Sequence, residues 1–136
     1  MLVSICLVPS LATREPWVVL NDCRFVSDDS NDADSFHVKV AGKEYIFRLY
    51  FVDAPETDAS FPARVDEQAK YFGLTTAQTL QLGDFARRLA KEKLARPFTL
   101  RTCMQNALGR SRKKRFYAFL GTSEGDPNCV GFQNST

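Results

Sequence analysis

Two short acidic segments contain residue types that could do chemistry together. Residues 48–57 are Arg-Leu-Tyr-Phe-Val-Asp-Ala-Pro-Glu-Thr, and residues 32–35, just upstream, are Asp-Ala-Asp-Ser. Convergent carboxylates hold a hard cation through oxygen ligands. An arginine beside such a cation neutralises the negative charge that builds up on a phosphate as it is cleaved. We therefore interpret the two segments together as a candidate phosphodiester-cleaving site.

Length and composition indicate one globular domain. The chain has 136 residues, of which 44% are apolar and 25% are charged, so neither disorder nor a membrane protein is indicated. The formal net charge is only +2. This small charge argues against binding to nucleic acid through overall charge, and any such contact must come from a local patch.

Residues 1–16 are predicted to be a remnant of a secretion signal or an apolar arm. Residues 2–12 are mostly apolar but too short to span a bilayer, and residues 10–12, Ser-Leu-Ala, are similar to a signal-peptidase site. No basic residue precedes Leu2, so an arm packed on the domain and a misassigned start codon remain alternatives. The signal interpretation predicts a secreted or periplasmic protein.

The cysteines do not define a metal site. Cys6 lies in the possible leader, and Cys23, Cys103 and Cys129 have no spacing typical of zinc ligands. We interpret the last three as structural, and their disulfide state stays open.

The order of predicted elements indicates a small α+β barrel. Alternation and turn residues predict strands over residues 17–25, 35–40, 44–52, 98–102 and 115–120, and helical signals cover residues 62–73 and 77–95. This order is compatible with a mainly β, α+β fold, a five-stranded OB-fold barrel with one or two helices between strands 3 and 4. We expect this domain to span residues 17–120 and residues 121–136 to form a polar, disordered tail.

The same patterns predict which faces are buried. Four residues share one face of the third strand and are expected in the barrel core, not in a base-stacking platform: Tyr45, Phe47, Leu49 and Phe51. His37 lies on the polar face of the second strand, which predicts a surface histidine. The second helix has a broad apolar face, made of Leu80, Leu82, Phe85, Leu89 and Leu94.

Helix ends are also indicated. Ser60 is expected to cap the first helix, which would begin near Pro62 and end at Gly73. Thr75 and Gln78 match a capping box at the start of the second helix.

On the basis of these residues and their order, the chain resembles the staphylococcal-nuclease family, also called thermonucleases. The family pattern is an Asp-Gly-Asp-Thr turn, a strand ending Arg-Leu-x-x-Val-Asp-x-Pro-Glu-Thr, a helix, and later a Gly-Arg loop before the last barrel strand. The similarity covers about residues 18–120. Ala33 replaces the turn glycine, which would strain the hairpin if a positive φ is needed. Family members also continue with two helices, where this chain has its polar tail.

The resemblance implies specific roles for five residues. Asp34 and Asp53 would be direct calcium ligands, and the backbone carbonyl of Ala54 would add a third oxygen. Glu56 would act on the attacking water as general base or orienting group. Arg48 would contact the scissile phosphate.

The second catalytic arginine has two candidates. Arg110 follows Gly109 as in the family's Gly-Arg signature, whereas Arg115 directly precedes the fifth strand. Arg110 is favoured, and Arg115 remains the alternative. The basic residues between them are interpreted as a clamp on the phosphate backbone or, alternatively, as a solvated loop: Arg112, Lys113 and Lys114.

The resemblance predicts a calcium-dependent nuclease that hydrolyses DNA or RNA as a monomer without a membrane partner. A non-catalytic nucleic-acid-binding OB module and an inactive, truncated nuclease fragment are the alternatives. From the residues alone, the acidic groups could also be ordinary surface carboxylates at strand ends.

Overall fold

The structure is a computed structural model that describes residues 16–109 and 112–122 of the chain. The predicted leader and polar tail lie almost entirely outside these ranges. Arg110, Cys6 and Cys129 lie outside them as well.

The described residues form five strands and two helices. They follow one another as β1 (Val18–Val26), β2 (Ser35–Val40), β3 (Lys43–Leu49), α1 (Pro62–Phe72), α2 (Thr76–Lys93), β4 (Phe98–Thr102) and β5 (Phe116–Gly121). The strand order is β1-β2-β3-β5-β4, and β1 also pairs with β4, so the sheet closes in a ring. Within this ring β3 and β5 are parallel, and the remaining pairs are antiparallel. The predicted α+β class, with helices between the third and fourth strands, is confirmed.

Apolar side chains that alternate along the strands fill the interior of the ring. Phe36, Val38, Phe47, Leu100 and Ala118, which come from β2, β3, β4 and β5, are each at most 1% exposed. Alternate residues of a strand point to the same face, so one face of each strand supplies the core. Complete burial of each larger side chain contributes about 1.5–3 kcal/mol to stability.

The strand β3 ends earlier than predicted. It stops at Leu49 rather than at residue 52, and Phe51 adopts a left-handed conformation with φ 59°. Phe51 is consequently 95% exposed, so its predicted place in the core is wrong. The turn breaks the alternation of the strand. A bend of this kind is needed if Arg48 and Asp53, an odd number of residues apart, are to face the same site.

The prediction of a surface histidine at position 37 is also wrong. His37 is only 6% exposed because the loop between β1 and β2 folds over the outer face of β2. Asn31 holds it there, since Asn31 Oδ1 accepts a hydrogen bond from the His37 backbone nitrogen at 2.9 Å and lies 2.7 Å from its Nδ1.

The helix ends follow the predicted signals, with one exception. The capping box of α2 is present: Thr75 Oγ1 accepts from the nitrogen of Gln78, and the Gln78 side chain accepts from the nitrogen of Thr75. Gly73 ends α1 with a left-handed φ of 67°. Ser60 does not cap α1, because the N-cap is Phe61 and no side chain accepts a hydrogen bond there. Neither described helix is long and apolar enough to cross a membrane.

The buried face of α2 differs in part from the predicted one. Leu94, at the C-cap, is 2% exposed as expected, and Leu80 and Leu82 are half-buried. Within the helix the buried residues are Thr79 and Gly83, whereas Phe85 and Leu89 are 57% and 43% exposed. The small residues allow α2 to pack closely against neighbouring parts of the chain, including the loop after β3.

The two described cysteines are free thiols. Cys23 is buried in the core and Cys103 is partly buried. Burial is the main cause that raises the pKa of the Cys23 thiol. A structural role fits Cys23, since a buried neutral thiol behaves as a small apolar side chain.

Candidate functional site

A cleft of about 860 Å3 lies between the β1–β2 turn, the end of β3, the following loop and the start of α1. It is called the acidic cleft below. Its lining includes Asp32, Asp34, Arg48, Asp53, Ala54, Glu56, Arg64, Glu67, Gly109 and Arg115. The structure therefore brings most of the residues predicted for the site to one place.

The β1–β2 turn presents Asp34 to the cleft. Asp32 Oδ1 organises this turn by accepting hydrogen bonds from the backbone nitrogens of Asp34, at 3.2 Å, and Ser35, at 2.7 Å. Ala33 is not among the residues with positive φ, so the strain that a positive φ would cause in this turn is absent.

Asp34 also fastens the loop after β3. It is only 5% exposed, and its Oδ2 accepts a hydrogen bond from the nitrogen of Ala54 at 2.9 Å. Its backbone oxygen accepts from the nitrogen of Leu49 at 2.7 Å. A buried carboxylate with such partners is a fixed part of the structure rather than a mobile surface group.

Arginines link the carboxylates of the cleft. Arg48 Nη2 lies 3.8 Å from Asp34 Oδ2 and 3.8 Å from Asp53 Oδ1. Arg64 donates a hydrogen bond to Asp53, and its Nε lies 3.8 Å from Glu56 Oε1. The three predicted acids are thus joined through two guanidinium groups.

The environment makes two of the acids bind protons more strongly than usual. Burial raises the pKa of Glu56, and the charges of Asp58, Asp34 and Asp53 raise it further, against the opposing effect of Arg64. Burial and the nearby Asp34 raise the pKa of Asp32 to about 7. Perturbed acids of this kind concentrate at functional sites, although structural ion pairs also produce them.

Arg115 projects into the cleft, whereas its competitor, Arg110, lies outside the described residues. Arg115 Nε is buried and has no hydrogen-bond partner among the described groups. Gly109 makes room for this side chain, since a Cβ at Gly109 would lie 2.8 Å from Arg115 Nη2. A buried guanidinium nitrogen without a partner suits an anion that enters the cleft.

The predicted phosphate-clamp residues are exposed and are not part of the cleft lining. These are Arg112, Lys113 and Lys114. The Nζ of Lys114 lies 5.1 Å from the centre of the Phe116 ring, a cation–π distance. Contact between these residues and nucleic acid stays a prediction.

The donor atoms of the cleft suit a hard cation. Among the described residues, no three His, Cys, Asp or Glu side chains form a metal site by themselves. The set suggested by sequence contains two carboxylates, Asp34 and Asp53, and the carbonyl of Ala54. That carbonyl accepts one hydrogen bond, from Gln68 Nε2 at 3.1 Å, and a carbonyl oxygen has a second lone pair. Oxygen donors with room for water fit calcium, which takes 6–8 oxygen ligands.

Three residues that shape the site were missed by the sequence analysis: Arg64, Gln68 and Gly83. The sequence does contain features that could have identified Gln68 and Gly83. Gln68 is a polar residue at a buried position of α1, between Val65 and Ala69. Gly83 is a glycine inside a helix, which often indicates a close backbone approach. Nothing in the sequence pattern distinguishes Arg64 from other charged helix residues.

Comparison with known proteins assigns no family. A scan against protein-family models finds no match, and no curated protein matches the chain. The function must therefore be argued from the cleft itself.

Proposed function

We propose that this chain is a calcium-dependent nuclease that hydrolyses phosphodiester bonds in DNA or RNA on an OB-type fold. The observation that carries the proposal is the convergence of Asp34, Asp53 and Glu56 in one cleft with arginines between them. Carboxylates that merely lie at the surface are mostly exposed, whereas Asp34 is buried in this cleft.

The cation would be held by the carboxylates of Asp34 and Asp53 and by the carbonyl of Ala54. When bound, calcium would neutralise negative charge on the scissile phosphate and polarise its P–O bonds. The Ala54 nitrogen already bonds to Asp34, so the turn and the loop present their oxygens as one unit.

Arg48 and Arg115 are proposed to bind the phosphate. A guanidinium can donate two parallel hydrogen bonds to phosphate oxygens, and its attraction grows as charge develops in the transition state. Arg48 is 28% exposed, and Arg115 lines the same cleft, so both are accessible to a substrate there.

Glu56 is proposed to take the proton from the attacking water. The water oxygen would bond to phosphorus while its proton moves to a Glu56 carboxylate oxygen, and the opposite P–O bond would break. A general base works best when its pKa is raised toward the working pH, and burial shifts the pKa of Glu56 in that direction.

The test is to assay cleavage of plasmid DNA and of RNA with calcium, with a chelator, and with the Glu56→Gln variant. Wild type should cleave only with calcium, and Glu56→Gln should lower the rate by about 10²- to 10⁴-fold, because it removes the base.

Glu67→Gln is the matched control. Glu67 lines the same cleft and pairs with Arg64 at 3.1 Å but has no proposed part in the reaction, so the variant should retain most activity. Cleavage that survives both the chelator and Glu56→Gln would overturn the proposal. Salt-sensitive binding without turnover would instead support a non-catalytic nucleic-acid-binding module.

A further inference from the structure

The loop after β3 carries Asp53, Ala54 and Glu56 but has little regular structure of its own. Residues 52–56 belong to neither β3 nor α1. Their backbone hydrogen-bonding groups therefore need hydrogen-bond partners from elsewhere in the molecule, side chains included.

Gln68 supplies two of them with a single side chain. Its Nε2 donates to the oxygen of Ala54 at 3.1 Å, and its Oε1 accepts from the nitrogen of Glu56 at 2.9 Å. Gln68 is 5% exposed and belongs to the rigid helix α1, where its neighbours Val65 and Ala69 are also buried. The amide thus fixes the loop on both sides of Pro55.

The same loop also lies against α2. A Cβ at Gly83 would lie 2.1 Å from the oxygen of Glu56 and 2.8 Å from that of Pro55, so helix and loop are in direct backbone contact. The loop that receives the two hydrogen bonds of Gln68 is therefore also packed against α2.

From this geometry we infer that Gln68 is a positioning residue of the acidic cleft. It sets the places of the Ala54 carbonyl and the Glu56 backbone, and through them the cation and the base. The expected effect of Gln68 on cleavage rests on the proposed function, whereas its expected effect on the loop does not. Displacement of a catalytic group by about 1 Å can cost on the order of 10²-fold in rate.

The test uses two variants of the full chain. Gln68→Met has a similar length and loses both hydrogen bonds. Gln68→Glu keeps an acceptor for the nitrogen of Glu56 but cannot, when ionised, donate to the oxygen of Ala54. The measurements are amide hydrogen exchange at Glu56, calcium affinity by calorimetry, and the separate kcat and KM for cleavage.

Gln68→Met should speed exchange at the Glu56 amide by at least about tenfold, because this amide loses its acceptor. It should weaken calcium binding and lower kcat about 10- to 100-fold while KM changes less, because binding to the arginines is retained. Gln68→Glu should retain protection of the Glu56 amide and yet bind calcium differently from wild type.

Thr79→Val is the control for stability loss. Thr79 is fully buried, and its Oγ1 donates to the oxygen of Thr75 at 2.9 Å inside α2, so the variant loses a buried hydrogen bond elsewhere. Unchanged Glu56 exchange in Gln68→Met, or an equal loss of kcat in Thr79→Val, would overturn the inference. An inert wild type would overturn the proposed function instead, and the exchange measurement would still decide the role of Gln68.

Discussion

Acids and arginines alternate in the cleft, but the acids are in excess. Arg48 and Arg64 pair with four carboxylates: Asp34, Asp53, Glu56 and Glu67. Each arginine lowers the repulsion between the carboxylates that it bridges. The remaining negative charge favours a cation, and Arg115 Nε, which has no hydrogen-bond partner among the described residues, favours an anion beside it. A metal–phosphate pair would satisfy both.

The two candidate arginines can be separated by substitution. Arg115→Ala should lower cleavage by about 10²-fold, because Arg115 lines the cleft, whereas Arg110→Ala should lower it less than tenfold. Steady-state rates at saturating calcium measure both effects.

Arg96→Ala removes an equal charge at an exposed position outside the cleft lining and is the control for general electrostatics. If Arg110→Ala proved the more damaging variant, the Gly-Arg signature would identify the catalytic arginine and the assignment to Arg115 would be wrong.

At the level of elements, both α1 and α2 contact the loop after β3. Gln68 bonds to it from α1, and Gly83 touches it from α2. The helices are therefore part of the cleft, although the loop and strand ends supply nearly all of the predicted site residues. A glycine at position 83 lowers the stability of the helix, but it is needed there because a larger side chain would prevent close packing on the loop.

Substitution of Gly83 should reverse the usual effect of alanine in a helix. Gly→Ala inside a helix normally stabilises by about 1 kcal/mol. Here the added methyl group would meet the backbone at 2.1 Å, so Gly83→Ala should destabilise by about 1–3 kcal/mol and lower cleavage. Denaturant unfolding and the cleavage assay measure the two effects.

Gln81→Ala, at an exposed position of the same helix, shows the effect of helix propensity alone and should stay within about 0.5 kcal/mol of wild type. A more stable Gly83→Ala protein would mean that the loop does not contact α2 in solution.

At the level of the whole molecule, one outer surface of the ring is aromatic. This aromatic surface consists of Trp17, Tyr50, Phe51, Tyr117 and Phe119, with Tyr50 stacked on Tyr117 at 4.7 Å and on Phe119 at 4.8 Å. Trp17 is 46% exposed and Phe51 is 95% exposed. Exposed apolar surface of this kind promotes association.

Phe51→Asn should reduce the exposed apolar area of the aromatic surface without loss of stability. Asparagine tolerates a positive φ better than phenylalanine does, and the ring of Phe51 is almost fully exposed. Binding of a hydrophobic dye should decrease, and the midpoint of thermal unfolding should stay within about 2 °C of wild type.

Tyr71→Asn removes another exposed aromatic ring, 84% exposed on α1 and outside the aromatic surface. Dye binding that falls equally in both variants would show that the aromatic surface has no special role.

Local patterns predicted the elements well. Alternation located β2 and β4 with their observed bounds, and the Thr75–Gln78 capping box located the start of α2. The failures involve contacts between distant residues. His37 is buried by a loop, and two predicted apolar residues of α2, Phe85 and Leu89, are exposed, whereas Thr79 and Gly83 are buried. A sequence pattern within one element does not specify which other parts of the chain pack against that element in the folded protein.

The sequence by itself determined the type and order of the elements, because alternation, capping and turn residues act over a few neighbouring positions. It also indicated which acids and which arginine could do chemistry. Only the tertiary structure decided that these residues meet. The meeting requires the bend at Phe51, the bond from Asp34 to Ala54, and the confinement of the loop by Gln68 and Gly83. Each of these depends on the folded chain or on backbone conformation, which spacing along the chain does not specify.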